Sequence, residues 1–193
     1  MLTARLYRLT AVAGLASAAV LLVNTAKRAE VIPTTDATQL IAPLAQVFAL
    51  ALVTALFVAY GRSSGLLSTI GFALNFVALA ALVGVEFVIN LVFAHLPNPT
   101  IAELRTGPLG IALTVASVLF LVGTWTFVAA LWRVPGPPRP ALALYAVGSV
   151  PVALRAAVPE AALQVGLLLL TISVTWLAIH LWRNADRVSS APA

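Results

Sequence analysis

The sequence predicts an all-α fold: a polytopic integral membrane protein with six transmembrane helices in three in-out-in hairpins, both termini inside, in a single domain over residues 1–193. Three observations carry this expectation. The first is composition: 62% of the 193 residues are hydrophobic and 9% are charged, where an average globular domain carries roughly 25% charge. With a mean hydropathy of +1.06, a soluble fold of this size has too few polar side chains to cover its surface. The second is spacing: apolar runs recur at the length a bilayer core of about 30 Å demands, about 20 residues per helix. The third is the uneven placement of the cations.

The same composition excludes other classes. The net charge of +5 comes from eleven scattered cations, not a basic run, so no nucleic-acid partner is expected. The hydrophobicity excludes disorder. With no cysteine, disulfides, thiolate metal sites and Cys nucleophiles are absent. Lys27 is the one lysine and falls in what reads as a polar loop, which excludes a Schiff-base lysine buried in a span. The Ala/Val/Leu/Arg/Pro bias points to a GC-rich bacterial genome, and hence to the bacterial cytoplasmic (inner) membrane.

The spans read roughly as 6–24, 38–60, 66–94, 108–132, 141–158 and 161–182. Span one has Arg5 and Arg8 ahead of an apolar run, and Ala16-Ser17-Ala18 looks like a signal-peptide cleavage site. The run continues to Val23, so a retained helix is expected. Residues 25–37 then hold Lys27, Arg28, Glu30, Pro33 and Asp36 and read as a loop. Span two exits through Gly61-Arg-Ser-Ser-Gly65, and span three ends before Pro97, Asn98 and Pro99. Span four ends at Arg133-Val-Pro-Gly-Pro-Pro-Arg-Pro140, a stretch that cannot be helical. Pro159-Glu160 is the weakest break. Reading 141–182 as one bent helix gives five spans, but that segment is far too long for one crossing.

Orientation follows from the cations. With the N-terminus inside, Arg5, Arg8, Arg62, Arg133, Arg139, Arg183 and Arg187 are cytoplasmic, against one acid, Asp186. Lys27, Arg28, Arg105 and Arg155 are then outside, with Glu30, Asp36, Glu103 and Glu160. Trp132-Arg133 and Trp182-Arg183, with Tyr60 near Arg62, put aromatics and cations together at the inner interface.

Within hydrocarbon, polar side chains turn toward protein. On span three, Asn75 and Glu86 are about three turns apart and share a face with Ser68, Gly71 and Asn90. Gly110, Thr114, Ser117 and Thr124 form a stripe on span four, Gln164, Thr171 and Thr175 one on span six, and Gln39, Pro43, Gln46 and Thr54 one on span two. Such stripes serve close helix packing. Depth adds a further hint: Ser17, Gln46, Glu86 and Thr114 lie about 9–12 Å below the outer ends of their spans at about 1.5 Å per residue. Arg155 and Gln164 are slightly shallower. Glu86 is the one acid inside a span. At that depth it must be held neutral by burial or paired with a cation, and Arg155 is the cation expected near it. The candidate ligand-binding set is therefore Glu86, Asn75, Asn90, Gln46, Thr114, Arg155 and Gln164. Pro151 is expected to bend span five and turn Arg155 inward.

Known motifs add little. Gly61-Arg62-Ser63-Ser64-Gly65 matches G-x-S-x-G, but the chemistry needs a strand-to-helix elbow with a His and an acid nearby. A rhomboid-like site would use His180 with a G-x-S-G that the chain lacks. His95 and His180 lie at opposite ends and cannot share one haem. His95 with Glu103 is too few ligands for a metal. No metal and no cofactor are expected.

The Tyr7–Val23 helix, the Leu40–Arg62 span, the Trp132-Arg133-Val134-Pro135 exit, Gln164 and Trp176-Leu177 resemble the bacterial six-helix membrane proteins grouped as domain of unknown function 4386. That family has no agreed activity, so the resemblance implies architecture alone. In size, helix count and a first helix rich in small residues (Ala13, Gly14, Ser17, Ala18), the chain also resembles substrate-capture subunits of vitamin transporters, which implies a membrane protein partner. Three functions follow as expectations. The first is binding or moving a small amphipathic or hydrophobic molecule in an outward-side polar pocket around Glu86. The second is an intramembrane enzyme acting on an isoprenoid or lipid with Glu86 as general acid, on analogy with small membrane terpene cyclases. The third is an accessory subunit that contacts membrane lipid and packs helices.

Overall fold

The computed structural model describes residues 3–62 and 64–190. Among them there are helices and no strands. Ser63, the central serine of the G-x-S-x-G match, lies outside the described residues.

The chain begins with α1 (Ala4–Arg28), which the Thr3 side chain caps by accepting from the Leu6 N–H. A short α2 (Asp36–Ile41) starts at a reciprocal capping box between Thr35 and Thr38. Pro43 has no N–H to continue the ladder, so the helix breaks there before α3 (Leu44–Leu56), which runs into a π turn, Phe57–Gly61. Next comes α4 (Gly65–Phe87), extended by a π turn at Val88–Val92 and a 3₁₀ turn at Phe93–His95. The remaining helices are α5 (Asn98–Thr106), α6 (Pro108–Trp132), α7 (Arg139–Ala153), α8 (Glu160–Arg183) and α9 (Ala185–Ser190).

Among the described residues, five segments are long and apolar enough to cross a membrane: Ala4–Arg28, Asp36–Gly61, Gly65–His95, Pro108–Trp132 and Glu160–Arg183. Their outward faces carry Leu9, Leu22, Val77, Ile111, Val118, Val122, Trp125, Val165 and Ile172, all exposed. A dense belt of exposed aliphatic side chains fits contact with lipid and is untenable in water.

Three of the sequence boundaries need correction. Residues 25–28 belong to α1, so Lys27 and Arg28 are helical rather than in a loop. A cation in the last turn is favoured by the helix dipole, which makes the polar residues there compatible with helix. Residues 98–106 form a helix rather than a bare loop, because Pro99 lies in the first turn, where a missing N–H costs nothing. The helix expected over 141–158 stops at Ala153, and Leu154–Ala157 form turns. Pro151 accounts for that early end: its ring displaces the Val147 carbonyl two residues before the helix stops.

The helices pack with alternating direction. Arg8 of α1 meets Asp186 of α9 at one end of the bundle, and Arg28 meets Glu160 at the other, so α1 and α8 run antiparallel. Ser173 of α8 donates to the Ala141 carbonyl at 2.7 Å, setting α7 against α8. The tightest seam joins α4 and α6. A Cβ on Gly71 would lie 2.7 Å from the Phe127 nitrogen, and one on Gly123 would lie 2.6 Å from the Asn75 nitrogen. Only the absence of a side chain lets these backbones touch, which is how helices associate where lipid supplies no hydrophobic drive. A second small-residue seam sets Gly148 of α7 against the Gly166 carbonyl of α8.

Candidate ligand pocket

At the Arg28 end of the bundle, side chains from six segments surround a pocket of about 120 Å³. Its walls divide by chemistry. The floor and sides are apolar: Leu79, Leu82, Phe120, Leu163, Leu167 and Leu170. The rim is polar: Asn24, Lys27 and Arg28 of α1, Gln46 of α3, Glu86 and Asn90 of the α4 segment, and Arg155 just past α7.

Glu86 stands at the centre of a hydrogen-bonded chain. Arg155 Nη1 donates to Glu86 Oε1 at 2.7 Å, with the two side chains 19% and 15% exposed. Asn90 Nδ2 donates to Glu86 Oε2 at 2.9 Å and to the Glu86 carbonyl at 2.9 Å. Lys27 Nζ then donates to Asn90 Oδ1 at 2.8 Å. These bonds also fix the Asn90 amide, since its oxygen must face the ammonium and its nitrogen the carboxylate. Asn90 lies within the π turn Val88–Val92. Such turns interrupt α-helices frequently at functional sites.

Two other amides on the walls each have an oxygen without a hydrogen-bond partner among the described residues. Asn24 is 8% exposed, and its Oδ1 is buried without a hydrogen bond. Gln46 Oε1 is in the same condition. A buried amide left unpaired costs about 1–3 kcal/mol, so two of them facing one pocket mark a place that a ligand or water completes.

The sequence-expected residues separate into groups. Glu86, Asn90, Gln46 and Arg155 come together, and Ser17 also lines the pocket while donating to the Ala45 carbonyl at 2.7 Å. Asn75 does not line it. Asn75 is fully buried, donates to Thr124 Oγ1 at 2.9 Å and accepts from Tyr145 Oη at 3.4 Å, locking α4, α6 and α7 beneath the pocket floor. Sharing a face with Glu86 was a matter of angle, and three helical turns of axial rise separate the two. Thr114 is exposed, bonds the Gly110 carbonyl of its own helix, and lines a different groove between α6 and the end of α7. Gln164 donates to the Arg28 carbonyl at 3.5 Å, serving an otherwise open end of α1.

Arg155 is not the sole cation near Glu86; Lys27 is there as well, with Asn24 one turn before it. The signal that finds Asn24, and extends the helix as far as Lys27, is a stripe on α1, Gly14, Ser17, Leu21, Asn24 and Arg28, at alternating three- and four-residue spacing. Reading 25–37 as a loop cut that stripe short. No protein-family model, no curated protein and no solved structure matches the chain.

Proposed function

We propose that the protein binds, and thereby carries or presents, a small amphipathic molecule in the pocket beside Glu86. The observation that carries this reading is the pair of partnerless amide oxygens, Asn24 Oδ1 and Gln46 Oε1, above the apolar bed of the pocket. A seam that only packed helices would pair or exclude them. The Lys27–Asn90–Glu86–Arg155 chain supplies a rigid polar rim, and the leucines below supply an apolar bed. The hydrogen bonding weighs against Glu86 as a general acid, because both carboxyl oxygens accept from donors, one of them a guanidinium.

The topology belongs to the same proposal. Both termini lie inside, the pocket opens outward, and α7 is a sixth span. Its 15 residues cover about 22 Å at about 1.5 Å per residue, short of the roughly 30 Å core. Its continuation through Leu154–Ala157 and its packing along α8 support the crossing. The cation distribution supports the orientation, and the composition supports a bacterial inner membrane.

The test is to purify the protein in lipid nanodiscs and identify bound small molecules by mass spectrometry, alongside Ala49→Phe, which fills the pocket wall. The expected result is a molecule retained by the parent and lost from a variant of similar melting temperature. Identical contents in both overturn the reading, and the accessory-subunit role with a membrane protein partner replaces it.

A further inference from the structure

The charge count around the pocket is uneven. Three cations line it, Lys27, Arg28 and Arg155, against one carboxylate, Glu86. Arg155 is spent on Glu86, and Arg28 is paired with Glu160 at 3.0 Å. Among the described residues the ion pairs are these two and Arg8–Asp186, so Lys27 belongs to none. Its ammonium has three donors, and its one hydrogen bond goes to a neutral amide, Asn90 Oδ1. Position alone explains a cation at the end of α1. It does not explain the buried Asn24 Oδ1 one turn earlier, which has no hydrogen-bond partner among the described residues.

We propose that Lys27 forms an anion-recognition subsite and that the pocket takes a compact monocarboxylate. This rests on the pocket reading above and adds the chemical class of the ligand. The carboxylate accepts from Lys27 Nζ, while Asn24 Oδ1 and Gln46 Oε1, which can only accept, take hydrogen-bond donors elsewhere on the molecule. One surplus positive charge matches one negative charge. A phosphate monoester, at about −1.5 to −2, would leave the site net negative. The apolar part is small. The pocket of about 120 Å³ is close to a cavity of about 150 Å³ that holds benzene, so a ring or a short branched chain fits and a diacyl lipid does not.

The experiment uses the full chain in nanodiscs of zwitterionic lipid at neutral pH and low salt, with four probes that share one ring: benzoate, benzyl alcohol, benzylamine and phenyl phosphate. Binding is read by calorimetry. Benzoate is expected to bind about tenfold more tightly than benzyl alcohol, the scale of one charge-assisted hydrogen bond. Lys27→Met should abolish that preference, and Lys27→Arg should keep it. A preference for benzylamine or phenyl phosphate, or one that survives Lys27→Met, overturns the proposal. If the alcohol matches benzoate and Ala49→Phe blocks both, the pocket reading stands and the anion subsite falls. If no probe binds, both fall.

Discussion

Arg155 and Glu86, separated by 69 positions in the chain, meet through a 2.7 Å bond between Nη1 and Oε1 at the edge of the pocket. The pair ties the turn after α7 to the end of α4, and it forms because α7 ends at Ala153 and delivers Arg155 sideways into the bundle. A helix continuing past Ala153 would have carried that guanidinium elsewhere.

The pair should behave as a coupled unit. Arg155→Ala leaves a largely buried carboxylate without its counter-charge, and Glu86→Ala does the same to the guanidinium. Each single change should lower stability by about 1–3 kcal/mol. The double variant should cost less than the sum of the two. Denaturant titration in detergent of the four proteins measures the coupling; strict additivity would show that the pair adds nothing.

Glu86→Gln keeps the shape and retains Asn90 as a neighbour but cannot ionise. It should fold, lose the charge-assisted part of the Arg155 bond, and leave a second unpaired cation on the rim. Melting temperature should fall modestly. A variant as stable as the parent would mean that the carboxylate charge is not needed to hold the turn after α7.

Gly71→Leu and Gly123→Val should separate α4 from α6, because each side chain would meet backbone within 3 Å. Overpacking of this kind costs about 1–3 kcal/mol. Gly84→Ala, where nothing lies within 4 Å of the new Cβ, is the internal control and should be neutral. Thermal unfolding of the three in one detergent separates a specific seam from a general intolerance of larger residues.

Asn75 and Thr124, joined at 2.9 Å and both fully buried, should couple by about 0.6–1.7 kcal/mol, the range of intramembrane hydrogen bonds. A double-mutant cycle with Asn75→Leu and Thr124→Val measures it. Because Asn75 lies beneath the pocket rather than in it, ligand content should follow stability in these variants and show no separate loss.

Reporter fusions after Ser64 and Pro138 should read inside, and fusions after Asp36, Asn98 and Ala157 outside. The last of these tests whether α7 crosses. An inside signal at Ala157 would leave five spans and place α7 as a helix that enters and returns.

The sequence by itself determined the class of the protein and pointed to Glu86, Asn90, Gln46 and Arg155 on one polar rim. Twenty-residue apolar runs and scarce charge leave helices in a bilayer as the available solution, because backbone groups in hydrocarbon must bond within the segment. An acid amid such a run needs a partner, so Glu86 and Arg155 were legible before any contact was seen. Tertiary structure decided the rest. Helical angle alone cannot say which polar residues share a level once helices tilt and break. So Asn75 went to a packing lock, Thr114 to a separate groove, and Gln164 to the end of α1. Lys27 was hidden for the opposite reason: its neighbours Arg28, Glu30 and Pro33 read as a loop, while the packing of α8 against α1 and the dipole at that helix end kept it helical and aimed it at Asn90.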